Sequence, residues 1–222
     1  MNGVSLERHS IFLGPSGSGK TELSVNCALR AAQRSGRRVC FFDMDQTKGL
    51  FRSRDLFSLM AGHGIETVDP CGFQDAPVVP AGVLGKLDDQ GVLCIFDVGG
   101  SAAGSVAMGQ YADRLRRTGC DYYFVVNPCR PFMDTAESLA QIMAEVVQSS
   151  GAPLSQIRVL SNPNMGPATT AELILAQHKR LEFMLGEYGL SPAALCAAEE
   201  LVPRLSVDLP VIPLRLYLRR FY

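Results

Sequence analysis

The sequence predicts an α/β fold, a three-layer arrangement in which a mostly parallel central sheet is flanked by helices. Three observations predict it. Short apolar runs such as Val39-Cys40-Phe41-Phe42, Gly91 to Phe96 and Tyr122 to Val126 read as strands buried on both faces. Between them lie stretches with apolar residues at i, i+3, i+4 and i+7, the spacing of one helix face, and such alternation of strand and helix indicates a parallel sheet. A glycine-rich turn, Gly14 to Thr21, joins the first strand to the first helix.

That turn reads Gly14-Pro15-Ser16-Gly17-Ser18-Gly19-Lys20-Thr21 and fits G-x-x-x-x-G-K-[ST] at every fixed position, which makes the expected fold that of a P-loop NTPase. Glycines are needed because successive backbone N–H groups must converge on a β-phosphate without side chains in the way. Gly14, Ser16, Gly17, Ser18 and Gly19 would form this cradle. Lys20 would reach the β- and γ-phosphates, Thr21 would place its hydroxyl on Mg²⁺, and the helix that follows would aim its N-terminus at the anion. A Gly/Ser-rich linker is the bland alternative, but linkers lack the apolar run Ser10 to Leu13 before the loop and the helical spacing of Val25, Ala28, Leu29 and Ala32 after it.

Composition bounds the rest. The chain has 222 residues, 47% of them hydrophobic and 19% charged, with a formal net charge of -1. This suits one domain with a substantial core and gives no general attraction to nucleic acid or to anionic membranes. The seven cysteines are scattered without a C-x-x-C pair, which is cytosolic usage, and most read as buried thiols. Cys129 stands apart, beside a strand end. No apolar stretch approaches the roughly 18 residues of a membrane span, and Glu7 and Arg8 stand where a signal peptide would be apolar, so a cytoplasmic protein is expected.

In chain order, the first helix is expected from Gly19 to Gln33. The strand Val39 to Phe42 delivers Asp43-Met44-Asp45-Gln46 to its C-terminal end, the edge that faces the ligand crevice in open α/β sheets. Asp43 or Asp45 could hold a Mg²⁺-bound water or orient the attacking water, or one of them could cap the next helix. Lys48, Arg52 and Arg54 follow, able to answer phosphate charge or simply to be solvated. A short helix from Phe57, a strand Ile65 to Val68 and a Pro/Gly loop from Pro70 to Pro77 come next.

The strand Gly91 to Phe96 ends in Asp97-Val98-Gly99-Gly100, where Asp97 could hold the Mg²⁺ shell and the Gly100 N–H could approach the γ-phosphate. Ser101 to Met108 reads as a small, flexible segment, a switch region or a Gly/Ala loop, before a helix around Gln110 to Arg117. Tyr122 to Val126 ends at Asn127, a candidate to read or position the base. A helix from Asp134 to Gln148 carries core residues, and Ile157 to Leu160 leads to Asn162, whose amide could read adenine's amino edge or start a turn. No N-K-x-D or T-K-x-D follows these strands, which favours ATP over GTP. Helices are expected from Ala171 to Leu185 and from Ser191 to Leu201, then a late strand in Val211 to Tyr222.

With the loop, Asp43-Met44-Asp45-Gln46 and Asp97-Val98-Gly99-Gly100 on successive strands, the chain resembles the MinD/ParA/CobQ/CobB (SIMIBI-like) class of P-loop ATPases. It looks closest to an ATP-binding branch with D-x-D then F-R-S-R-[DE], D-V-G-G, V-V-N-x-x-R-P-F and a terminal P-L-[KR]-L-Y-[LM]-R, matched here by Asp43 to Asp55, Asp97 to Gly100, Val125 to Phe132 and Pro213 to Arg219. The resemblance implies ATP with Mg²⁺, Lys20 and Thr21 on the phosphates and metal, and Asp45 or Asp43 near the attacking water. One departure stands out: Pro15 occupies the position of the second, signature lysine that crosses the nucleotide-sandwich dimer of MinD and ParA relatives. A homodimer would therefore need Arg52, Arg54 or Arg130 in its place. The expected function is a Mg²⁺-dependent ATPase switch coupled to a protein partner such as a metalloenzyme or its maturation machinery. The alternatives are an ATP-dependent transferase or ligase related to CobQ/CobB, and a nucleotide sensor without turnover.

Overall fold

The computed structural model describes residues 3–44, 56–68, 82–100 and 102–218. Eight strands form one sheet: β1 (His9–Leu13), β2 (Arg38–Met44), β3 (Glu66–Val68), β4 (Val92–Val98), β5 (Cys120–Val126), β6 (Ile157–Ser161), β7 (Pro192–Ala198) and β8 (Val211–Leu214). Their order across the sheet is β3-β2-β4-β1-β5-β6-β7-β8. Every neighbouring pair is parallel, so the sheet is wholly parallel where a mostly parallel one was expected.

The helices are α1 (Lys20–Arg34), α2 (Phe57–Gly62), α3 (Val83–Asp88), α4 (Ala102–Gly109), α5 (Ala112–Thr118), α6 (Ala136–Ser150) and α7 (Ala171–Gly186). Strand alternation divides the apolar residues between two cores, one on each side of the sheet. Ile11, Leu13, Phe42, Phe96, Tyr122 and Phe124 face a core shared with α3 to α7. Phe12, Phe41, Ile95, Tyr123 and Val125 face a second core shared with α1, α2 and the C-terminal segment. Aromatic pairs tie adjacent strands in both layers: Phe42 stacks on Phe96 with centroids 4.7 Å apart, and Phe12 on Tyr123 at 5.3 Å.

The expected α6 and α7 are both present, opened by threonine caps. Thr135 Oγ1 accepts from the Ser138 N–H and Thr170 Oγ1 from the Leu173 N–H, each at 3.2 Å. Two expectations are corrected. The small-residue segment expected to be flexible is α4, which forms despite Gly104 in its interior; that glycine lets the helix approach the end of β4, where a Cβ on Gly104 would lie 2.8 Å from Gly99 Cα. The helix expected from Ser191 to Leu201 is instead β7 followed by a 3-10 turn at Glu199–Arg204. The run Ala-Ala-Leu-Cys-Ala-Ala favours helix locally, but β6 and β8 pair with it on both sides and its buried small side chains suit a central strand, so tertiary pairing overrides propensity. Pro192, lacking an N–H, stands as the strand's first residue.

Candidate nucleotide-binding site

The loop Gly14 to Thr21 leaves the C-terminal end of β1 and enters α1 at Lys20. Because β1 lies between β4 and β5, successive connections depart to opposite sides there, and the loop stands at the switch point where open α/β sheets ordinarily take ligands. Two glycines show why the local sequence is needed. Gly14 has φ 132°, and a Cβ on it would lie 2.4 Å from the carbonyl oxygen of Val125 on β5. Gly19, with φ 94°, precedes the first turn of α1, and a Cβ there would fall 2.2 Å from Asn162 Nδ2.

Lys20 is buried, 4% exposed, and its Nζ donates to the carbonyl oxygen of Pro15 at 2.9 Å. The Ser18 N–H donates to the same oxygen at 3.3 Å, so the loop curls around its own lysine. Thr21 is buried in the first turn of α1. Gly100, after β4, abuts the loop: a Cβ on it would sit 2.5 Å from Ser16 N. The β4 end and the phosphate loop therefore meet at Ser16.

Asp43 and Asp97 are register partners at the ends of β2 and β4, and both are buried. Phe42, Met44, Phe96 and Val98 face the other core, so by alternation the two carboxylates face the layer that holds α1. Helix α1 packs over β4, β2 and β1, and the carboxylates, Lys20 and Thr21 thus share one side of the sheet. Asp45, Lys48, Arg52, Arg54 and the loop from Pro70 to Pro77 lie outside the described residues.

Asn127 and Asn162, expected at the base, are placed beneath the loop. The Asn162 amide donates to Ser18 O at 2.7 Å, and the Asn127 amide donates to Gly17 O at 3.4 Å and to Asn164 O at 2.9 Å. Asn127 Oδ1 accepts from the N–H groups of Cys129 and Asn164, at 3.1 and 3.2 Å. Both asparagines are buried. Together they tie the ends of β5 and β6 to the carbonyls of Gly17 and Ser18. Cys129 is half-buried, and burial pushes its thiol up from the ordinary value, which disfavours a thiolate nucleophile. Buried cysteines elsewhere are shifted the same way, Cys27 to about 12.

Threonine hydroxyl and carboxylate oxygens are hard donors that suit Mg²⁺. Among the described residues no three His, Cys, Asp or Glu side chains gather into a metal-binding group, and Mg²⁺ in such sites is ordinarily held by one or two protein oxygens together with substrate phosphates. Thr21, Asp97 and Asp43 fit that role.

Sequence reasoning missed a second device on α1. Glu22, Asn26 and Arg30, at helical i, i+4 and i+8 spacing, hold the backbone of the C-terminal segment. Glu22 accepts from the N–H groups of Tyr217 and Leu218 at 2.6 and 3.2 Å, Asn26 exchanges two bonds of 3.0 Å with Arg215, and Arg30 donates to Pro213 O. The polar stripe was visible in the sequence, but its partner lies almost the whole chain away.

The chain is similar in fold to the signal recognition particle 54 kDa protein of Aeropyrum pernix K1, solved in complex with GDP, with 16% identity and a TM-score of 0.51. The match covers 98% of this chain and 45% of that one, so the chain spans less than half the length of that relative. More distant are the signal recognition particle receptor FtsY of Elizabethkingia anophelis (12% identity, TM-score 0.44, 100% of this chain and 63% of that one) and FlhF complexed with GTP and Mg²⁺ (12% identity, TM-score 0.39, 82% and 64%). No protein-family model and no curated protein matches the sequence. Fold and loop define the class of the chain: a three-layer α/β protein with the fold of P-loop NTPases. No helix among the described residues is long and apolar enough to cross a membrane.

Proposed function

We propose that this chain is a Mg²⁺-dependent ATP-binding protein, a slow ATPase whose nucleotide state is coupled to a protein partner such as a metalloenzyme or its maturation machinery. The observation that carries the reading is a buried Lys20 curled into its phosphate loop on the same side of the sheet as the paired carboxylates Asp43 and Asp97. In this reading the N–H groups of Gly14 to Gly19 and the Lys20 ammonium take the β- and γ-phosphates. Thr21 and Asp97 take the metal, and Asp43 or Asp45 positions water. Bound Mg²⁺ would supply charge neutralisation on the phosphates. Asn127 and Asn162 act through the loop, as positioning residues. Gly100, packed on Ser16, couples the β4 end to loop occupancy. The chain works as one domain in the cytoplasm, and a homodimer would have to form without the lysine that Pro15 replaces.

The absence of N-K-x-D favours ATP, whereas GDP in the signal recognition particle relative keeps GTP as the competing nucleotide. The test is ADP production from Mg-ATP, and GDP production from Mg-GTP, by purified protein alone and with fractionated cell extract. Slow turnover of ATP that a protein fraction accelerates, and that Lys20→Ala abolishes, is expected. Acceleration by a small-molecule fraction would replace the switch with a transferase or ligase. Binding without turnover under every condition would make the chain a sensor.

A further inference from the structure

The segment between β5 and α6 places a cation against the phosphate loop. Asn127 O accepts from the Arg130 N–H at 3.0 Å, closing a turn whose first side chain is already bonded to Gly17 O. From this turn the Arg130 side chain returns across the loop: a Cβ on Gly17 would meet Arg130 Nε at 3.5 Å, Cδ at 3.7 Å and Cγ at 3.8 Å. Arg130 is exposed, and no ion pair joins it to a carboxylate among the described residues. The next turn, closed by the Met133 N–H on Arg130 O at 3.3 Å, is strained, because Phe132 holds φ 65° while 75% exposed, a conformation that costs a bulky residue energy.

A guanidinium with no carboxylate partner among the described residues, its stem packed against Gly17 of a glycine-rich loop, is suited to a phosphate group, whose oxygens it can engage with two parallel donors. We propose that Arg130 binds the phosphate chain of a nucleotide held in the Gly14–Thr21 loop of the same chain, as a lip that closes the loop at Gly17. The inference rests on the nucleotide-binding reading above. It assigns to Arg130 a contact within one chain, because Asn127 ties the arginine's own turn to its own loop.

The experiment is calorimetric titration of Mg-ATP and Mg-GTP into wild type, Lys20→Ala, Arg130→Ala and Arg130→Lys, the tighter nucleotide being used for comparison, with thermal melts to show that each variant is folded. Arg130→Ala is expected to weaken binding roughly tenfold or more, the loss of a charge-assisted hydrogen bond. Arg130→Lys, which keeps the charge and loses the fork, should fall between it and wild type. If wild type binds, Lys20→Ala does not, and Arg130→Ala binds within about twofold of wild type, the inference is overturned and the loop assignment stands. If wild type binds neither nucleotide, the loop assignment fails and the inference with it. An Arg130→Ala defect confined to protein concentrations at which chains associate would overturn the contact within one chain.

Discussion

Asp43 on β2 and Asp97 on β4 stand directly opposite each other in the parallel sheet, 1% and 0% exposed, at strand ends that flank the helix following the phosphate loop. Neighbouring strands run about 4.8 Å apart, so two buried carboxylates lie side by side, an arrangement that a nearby cation stabilises. Lys20 offers one such charge on the same side of the sheet, and Mg²⁺ would offer more. Asp97→Asn should therefore lose the Mg²⁺ dependence of nucleotide affinity, measured by titration with and without EDTA. Asp43→Asn should keep the affinity and lower turnover by roughly a hundredfold, the effect of removing a group that positions or accepts the proton of water. Unchanged turnover in Asp43→Asn would move that role to Asp45 or remove it from both.

The C-terminal segment is fastened to α1 through side chains that accept and donate to backbone. Asn26 is buried and makes both bonds to Arg215, while Glu22 spans two consecutive N–H groups. Asn26→Ala should leave the Arg215 N–H and C=O without those partners and cost about 1–3 kcal/mol in urea unfolding. Glu22→Gln keeps an acceptor for only one of the two N–H groups and removes the charge from both bonds, so it should also lower the urea midpoint. Hydrogen exchange supplies the local reading: the amides of Arg215, Tyr217 and Leu218 should lose protection before those of β1 and β4. Equal loss across the sheet would mean that the segment is not held by α1 alone.

The fold was legible because its strands are apolar on both faces and its first turn has an unusual fixed spacing. Ile11 to Leu13, Phe41 to Phe42 and Leu93 to Phe96 could not be read as amphipathic surface. What was missed has a physical reason in each case. The alanines of β7 carry no strand signal of their own, and only β6 and β8 on either side make them a strand. The small residues of α4 suggested mobility, while the close approach of Gly104 to Gly99 is set by how the helix lies across the end of β4, which local sequence does not specify. At the site, Lys20 and Thr21 were legible from spacing alone. The places of Asn127 and Asn162 under the loop were not, since an asparagine after a strand serves a base and a backbone carbonyl equally well.

Two buried histidines make stability depend on pH. His9 on β1 is 4% exposed, and its Nδ1 accepts from the Cys94 N–H at 3.0 Å, so that nitrogen carries no proton in the fold. Burial, reinforced by the positive charge of Arg37, holds its pKa below the ordinary 6.5, against a smaller opposing contribution from the Leu87 backbone. His178 on α7, bonded through Nδ1 to Ser161 Oγ at 3.0 Å, is shifted the same way by burial, with Glu182 opposing. Both imidazoles are thus neutral in the folded chain at pH values where the unfolded chain already takes up protons. Their contribution is complete above about pH 6.5. It declines as pH falls from there toward the folded pKa values, at up to about 1.4 kcal/mol per pH unit for each proton taken up by the unfolded chain alone. Urea midpoints should accordingly fall between pH 7.5 and 5.5. His9→Gln, which keeps an acceptor for the Cys94 N–H, should flatten that decline while lowering stability at pH 7.5 by less than His9→Ala. An undiminished slope in His9→Gln would show that His9 takes up its proton equally in the folded and unfolded chains.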